Sequence, residues 1–386
     1  MNIPPAALGT MKMGSQLDEQ ESFNILDTYV GLCEASNVQV LIDTAEIYST
    51  PMKYDKMGNT EVIVGNWIKK RANRHKIILA SKVSGPLPDS MALRKREVHL
   101  TGKEVANDAQ LSQQDLTPEQ INRALEASLK KLEVEYIDLY QLHWPSRPAP
   151  LFGKEVFTEK MKDGVYIMKK EGVIDPEGVP FEEIVRCMGE LIQQGKIRYW
   201  GLSNETSYGI VRYCETAKLL GVPLPVTIQN DFSLADRRFD GELAEACSYY
   251  GIKLLAYGPL CGGTLTGKYF FDHLKDSSKR LRSTWRHVEN PKSQPRYHAK
   301  PTMDATRKYA IVAEKNNLTL VELALGFCAT RYYMGSVIFG ANSPKHVKEN
   351  FEAIINAENN MTKEVLSQIE KIHAERPNPN VDYSSV

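Results

Sequence analysis

The run Ile77-Ile78-Leu79-Ala80-Ser81-Lys82-Val83 decides how this chain folds. It is apolar on both faces and does not alternate, as expected of a strand covered on both sides in a parallel sheet. An amphipathic stretch, 118 to 132, follows, with Thr117 as N-cap, Pro118 at N1 and Gln120 at N3. Next comes a second buried-strand pattern, 136 to 143, which again closes on an ionisable residue, His143. The same alternation extends in both directions. Strand-like runs stand at 40–42, 197–203, 226–229, 253–257 and 336–341, with a weaker one at 7–11. Amphipathic stretches stand at 19–35, 60–71, 181–194, 208–219, 240–250, 306–316 and 344–356. Eight strand-then-helix units predict an α/β (β/α)8 TIM barrel. A doubly wound sheet fits less well, because Gly9-Thr10-Met11-Lys12 after the first strand is not GxGxxG.

A plain barrel needs about 250 residues, and this chain has 386. The surplus falls at about 84–115, 144–179 and 262–303, each between a strand and the next helix. Such loops all emerge at the C-terminal face of a barrel, so they predict a deep, partly covered pocket there. No Gly/Ser-rich linker interrupts the pattern, which predicts one domain over 1–386.

Composition excludes several classes. Lys plus Arg equal Asp plus Glu at 48 each, so the basic excess of a nucleic-acid binder is missing. The apolar fraction of 42% can build a core, which argues against disorder. No apolar run reaches ~18 residues, so no membrane span is expected. The six cysteines form no CxxC pair, and no metal site is expected. With no signal-peptide pattern at the N-terminus, free thiols point to the cytoplasm. The sequons at Asn204, Asn317 and Asn360 are then chance matches.

Asp43, Lys82 and His143 lie at or near the ends of consecutive strand runs, and Tyr48 follows in the loop after Asp43. Neighbouring barrel strands bring such side chains together at one rim. A buried lysine needs a partner, and Asp43 is the nearest candidate. An ammonium beside a phenol lowers the phenol pKa from about 10, making Tyr48 a usable general acid. His143 can hydrogen-bond the same substrate oxygen. The set suits protonation of a carbonyl oxygen while its carbon is attacked. Singly, each residue has a plainer role: a helix cap, packing, a solvated lysine or a satisfied rim histidine.

From about Leu8 to His373 the sequence resembles the aldo-keto reductase superfamily, within it the Tas-like and potassium-channel β-subunit-like branch. The motifs are Leu8-Gly9-Thr10-Met11, Ile42-Asp43-Thr44-Ala45-Glu46-Ile47-Tyr48, Gly201-Leu202-Ser203-Asn204, Tyr257-Gly258-Pro259-Leu260 and the run Gly262 to Tyr269. The resemblance implies NADPH-dependent reduction of aldehydes or ketones, with Asp43, Tyr48, Lys82 and His143 as the catalytic tetrad. It assigns Ser203, Asn204 and Gln229 to the nicotinamide carboxamide and Tyr257 to stacking on the ring. Gly258, Pro259, Leu260, Cys261 and Gly262 would follow the pyrophosphate, with Lys268 supplying charge. Gly258 stands where relatives usually carry Ser. Thr10, Met11 and Asp43 contribute from the first half. Gly340, Asn342, His346, Glu349 and Asn350 match adenosine-side positions, at a helix start suited to phosphate. Relatives commonly have Arg or Gln where this chain has His346, for which Ser343 or Lys345 can compensate.

Gly262 to Lys268 also fits GxxxxGK, but Tyr269 replaces the Ser/Thr of a P-loop, so ATP hydrolysis is not expected. The basic stretch 270–300 reads as a lid over an anionic cofactor or as a solvated loop. Trp144, with Phe152, Phe157 and Tyr166, predicts a pocket for an apolar or aromatic aldehyde, Tyr48 and His143 holding its oxygen. Two other readings stand beside the reductase: a Schiff-base aldolase using Lys82, and a non-catalytic cofactor-binding regulatory subunit. No nucleic-acid or membrane partner is expected.

Overall fold

The computed structural model describes residues 1–87, 90–105, 113–153, 178–269 and 294–381, and the backbone of a small hairpin at 161–162 and 165–166. Eight parallel strands close into a barrel: β1 (Ala6–Gly9), β2 (Val40–Asp43), β3 (Ile77–Val83), β4 (Ile137–Leu142), β5 (Ile197–Ser203), β6 (Thr227–Asp231), β7 (Lys253–Tyr257) and β8 (Met334–Phe339). Each pairs with its neighbours in sequence, and β8 returns to β1 through Ala6↔Val337. The fold is a (β/α)8 TIM barrel.

Strand parity explains where the chemistry ends up. Alternate residues point to opposite sides of a strand. Ala7, Leu41, Ile78, Ala80, Leu139, Leu255 and Ile338 pack together as one cluster inside the barrel. Their neighbours Leu8, Ile42, Leu79, Tyr140, Leu254 and Val337 join the larger layer between strands and helices. Stepping up the inner rows by twos leads from Leu41 to Asp43, from Ala80 to Lys82, from Leu139 to His143 and from Leu255 to Tyr257. The apolar floor thus delivers its polar residues to one end.

The helices that follow are α1 (Glu19–Ala35), α2 (Asn59–Arg71), α3 (Met91–Thr101), α4 (Pro118–Leu132), α5 (Phe181–Gln193), α6 (Ser207–Leu220), α7 (Glu242–Tyr250), α8 (Lys300–Lys315), α9 (Leu320–Ala329), α10 (Pro344–Ile355) and α11 (Lys363–Glu375). Thr117 caps α4 as its sequence foretold, accepting from Gln120 N. The pattern 306–316 is part of α8, but the helix packed on β8 and α10 is α9, with α8 outside it against α11. The reason is composition: Leu320-Val321-Glu322-Leu323-Ala324-Leu325-Gly326-Phe327-Cys328-Ala329 is nearly all apolar and mostly buried, so it shows no amphipathic stripe. The insertion at 84–115 is also more than loop, because it contains α3. Among the described residues no helix is long and apolar enough to cross a membrane.

Candidate active site at the barrel rim

Asp43 and Lys82 meet above the barrel floor. The register aligns Asp43 with Ala80, which puts Lys82 one inner-face step higher. Lys82 Nζ donates to Asp43 Oδ2 at 2.7 Å and to the Thr44 carbonyl at 2.8 Å, and is fully buried. Gln229 Nε2 donates to the other Asp43 oxygen at 2.8 Å. Lys82 Nζ also lies 5.0 Å from the Tyr48 ring centroid. The rings of Tyr48 and His143 meet edge to face at 5.8 Å. The four residues singled out in the sequence therefore form one constellation.

The electrostatics of this group differ from the simple expectation. Burial raises the Tyr48 phenol well above its ordinary 10, and the Asp43 carboxylate raises it further. The net shift stays upward although the Lys82 ammonium, bonded to Asp43 and the Thr44 carbonyl, lies close to the ring. Burial lowers the Lys82 pKa while Asp43 works against that shift. Burial, and then the Lys82 charge, hold His143 well below its ordinary 6.5, so it is neutral at physiological pH.

The loop carrying Tyr48 is anchored by a buried pair that sequence reasoning missed. Glu46 accepts from Arg96 Nε and Nη2, both at 2.7 Å, and from the Ser84 backbone N–H at 2.6 Å. Arg96 comes from α3, inside an insertion whose helix the sequence reading did not find, so nothing marked it as a partner.

Across the rim, Asn204 follows β5 with a left-handed φ of 52°. Its Nδ2 donates to the His143 carbonyl at 2.8 Å, and its Oδ1 accepts from the Tyr257 hydroxyl at 2.6 Å. Ser203 Oγ donates to the Gln229 carbonyl at 2.8 Å, and Thr10 Oγ1 to the Asp43 carbonyl at 2.8 Å. Met11 lies beside Thr10 in the loop after β1, its carbonyl accepting from Thr50 N. Ser203, Asn204, Gln229 and Tyr257 thus form one hydrogen-bonded row at the rim, joined to Asp43 through Gln229 and to the His143 backbone through Asn204.

The chain after β7 turns sharply. Gly258, Cys261, Gly262 and Gly263 all have positive φ, and Gly262 and Gly263 leave the backbone bare. Pro259 and Leu260 lie within this turn, and Lys268 beyond it is exposed. Gly258 has a specific cause: a Cβ there would sit 2.5 Å from the Tyr297 hydroxyl and 2.6 Å from Asp231 Oδ1. Asp231 accepts from Arg296 Nη2 at 2.8 Å and from the Tyr297 hydroxyl at 2.7 Å. Arg296 was counted in a basic lid, yet it is buried and paired. The remainder of that stretch, 270–293, lies outside the described residues, as do Phe157 and the side chain of Tyr166.

At the start of α10, Ser343 Oγ accepts from His346 N at 3.3 Å. Asn350 Nδ2 donates to the Gly340 carbonyl at 3.2 Å, and Glu349 faces Lys345 at 3.6 Å. Lys12 Nζ donates to Asn342 Oδ1 at 2.9 Å, tying the first loop to the last. Partial burial lowers the His346 pKa and Glu349 opposes this, while the charges of Lys268, Lys12 and Lys345 lower it further. Three lysines therefore act on one helix start, which favours an anion. Lys12 was visible in the sequence but nothing there linked it to residue 342.

A cavity of about 1300 Å³ opens beside this rim, walled by Arg147, Phe152, Phe181, Tyr208, Asp231 and Tyr257. Trp144 stands between it and His143, 4.8 Å from the His143 ring and 6.2 Å from that of Phe152. All six cysteines are free and buried. Among the described residues no cluster of three or more His, Cys, Asp or Glu could hold a metal ion.

Comparison with known proteins agrees with this geometry. The aldo/keto reductase family profile matches residues 6–374. Protein tas of Escherichia coli (strain K12) is 34% identical over 373 residues, covering 97% of this chain and 95% of that protein. A putative voltage-gated potassium channel subunit beta of Schizosaccharomyces pombe is 28% identical, covering 86% of this chain and 79% of that protein. An NADH-specific methylglyoxal reductase of Escherichia coli (strain K12) is 29% identical, covering 81% and 78% respectively.

Proposed function

The chain belongs to the aldo/keto reductase family, and from that premise we propose that it reduces aldehydes or ketones to alcohols with NADPH, Tyr48 delivering the proton. It is an oxidoreductase of a family that generally uses nicotinamide cofactors. One observation carries the finer reading: a fully buried ammonium, paired with Asp43, lies 5.0 Å from the centre of a phenol that also meets a neutral imidazole.

The bound nicotinamide would supply the hydride. The protein's own part is to hold a proton and place an oxygen. With its pKa raised by burial, the Tyr48 phenol keeps its proton at neutral pH until negative charge develops on a substrate oxygen. Lys82 then stabilises the phenolate left behind, because its charge is fixed nearby in a dry site. His143, neutral, has one ring N–H to offer the same oxygen. Ser203, Asn204, Gln229 and Tyr257 supply amide and hydroxyl groups for the carboxamide and a ring for stacking.

The bare backbone at Gly262 and Gly263 fits a pyrophosphate, and the α10 start fits a phosphate. Lys12, Lys268 and Lys345 around His346 support NADPH over NADH. Fluorescence titration with both dinucleotides tests this, and equal or tighter NADH binding overturns it. The Schiff-base reading fits poorly, because the Lys82 ammonium is buried and engaged by two acceptors. The similarity to a putative channel subunit keeps a cofactor-binding role without turnover as the second reading. Cofactor oxidation on a panel of aldehydes separates the two. We take residues 1–386 as one domain, and six free thiols fit a cytoplasmic setting.

A further inference from the structure

The segment Arg296-Tyr297 is latched from four directions. Arg296 Nη2 donates to Asp231 at the end of β6, and Arg296 Nη1 to the Phe152 carbonyl in the loop after β4, at 2.9 Å. Thr264 Oγ1 donates to the Tyr297 carbonyl at 2.7 Å, and Thr302 Oγ1 to the Arg296 carbonyl at 2.7 Å. Two loops make room for it with glycine. Gly258 does so as described, and a Cβ on Gly153 would sit 2.3 Å from Arg296 Cδ.

Phe152 is the residue this latch acts on. Its φ is 54° and that of Gly153 is 95°, so two successive residues are left-handed. For a residue with a bulky side chain that conformation is unfavourable and persists only when its surroundings impose it. Arg296 holds the Phe152 carbonyl, while the Phe152 ring meets Trp144 edge to face and Trp144 meets His143. Trp144 is itself fixed by its indole N–H donating to the Pro86 carbonyl at 3.0 Å.

We propose that Arg296 is a specificity-setting positioning residue: anchored on Asp231, it holds Phe152 in a strained turn so that its ring completes, with Trp144, an aromatic wall that selects ring-bearing carbonyl substrates. This rests on the carbonyl-reduction reading. The guanidinium reaches the two acceptors with two different nitrogens of one planar, rigid fork, Nη2 to Asp231 and Nη1 to the Phe152 carbonyl.

The test compares benzaldehyde with propionaldehyde. Arg296→Lys keeps the charge beside Asp231, so the carboxylate is not stranded, but it offers one donor nitrogen in place of two and should release the Phe152 carbonyl. Its kcat/KM ratio of benzaldehyde to propionaldehyde should fall about tenfold, the scale of one lost apolar contact, through the benzaldehyde KM. Phe152→Ala should cause the same selective loss, and the double variant should add nothing further. Equal losses for both aldehydes, a change carried by kcat alone, or additive single losses would overturn the proposal. If the wild-type protein oxidises neither dinucleotide with either aldehyde, the reductase reading fails instead. Arg296 is then judged by Trp144 emission, read as the difference between wild type and Trp144→Phe. Arg296→Lys and Phe152→Ala should shift that emission alike, and an unchanged signal in Arg296→Lys overturns the positioning role.

Discussion

Two of the buried carboxylate–cation pairs at the barrel rim meet at almost the same distance and arise in different ways. Asp43–Lys82, at 2.7 Å, joins adjacent strands, and the β2–β3 register alone brings its partners together. Asp231–Arg296, at 2.8 Å, joins the end of β6 to a loop 65 residues further on, and needs Phe152, Thr264 and Thr302 to hold that loop in place. The first pair is a consequence of topology. The second is a consequence of loop closure, so it can differ between chains that share the barrel. A pair made by strand register suits the chemical step, and one made by loops suits the choice of substrate.

The comparison breaks most directly at the phenol beside the first pair. Tyr48→Phe should lower carbonyl reduction by ~10²–10⁴-fold while dinucleotide affinity stays nearly constant. Steady-state rates and a binding titration check this, and a variant with full turnover removes Tyr48 from the acid role. Next comes Lys82→Met, which strands Asp43 in a dry site. It should destabilise the fold by about 3–5 kcal/mol in a denaturant titration, and also slow the chemical step. A variant as stable as wild type would mean that the pair is not what holds the floor of the site together.

The second pair should show itself through pH. Burial raises the Asp231 carboxyl from its ordinary 3.8 to about 6, with Arg296 opposing the shift. A raised folded-state pKa gives stability that is complete below about pH 4 and lost as pH rises through about 6. The unfolding free energy of wild type minus that of Asp231→Asn should therefore fall between pH 4 and 7, by roughly 3 kcal/mol at most. A flat difference would show that Asp231 does not titrate in this window. The smallest effect belongs to the exposed lysines. Lys345→Met should weaken NADPH binding by about two- to fivefold at low salt, the scale of one exposed charge near a helix start, with NADH affinity much less affected. Equal weakening of both dinucleotides would argue against a phosphate at the α10 start.

The two pairs also separate what was legible in the sequence from what was not. Asp43, Lys82 and His143 could be found because strands are short, apolar and ordered, so the residue closing each run must reach the rim. Asp231 carried the same kind of signal, two residues beyond Gln229 on the same side of β6, and was passed over because the strand run was ended at 229. Arg296 carried none: in a run of basic residues, sequence gives no sign of which one is buried. Helix α9 was missed for the opposite reason, since a segment buried on nearly every side loses the stripe that identifies a helix. Lys12 and Asn342 meet only because the barrel closes β8 onto β1, which local pattern does not report.

Gly258 bears on how such a site can change over time. Placing a serine there is not a single-step event, because the new side chain would collide with the Tyr297 hydroxyl and Asp231 Oδ1. Loss of Arg296 first would leave the Asp231 carboxylate buried and without its cation. A side chain at 258 therefore needs the Tyr297 ring to be displaced or replaced, so Gly258 and Tyr297 constrain one another. Sequences with serine at that position should lack the tyrosine at the matching place.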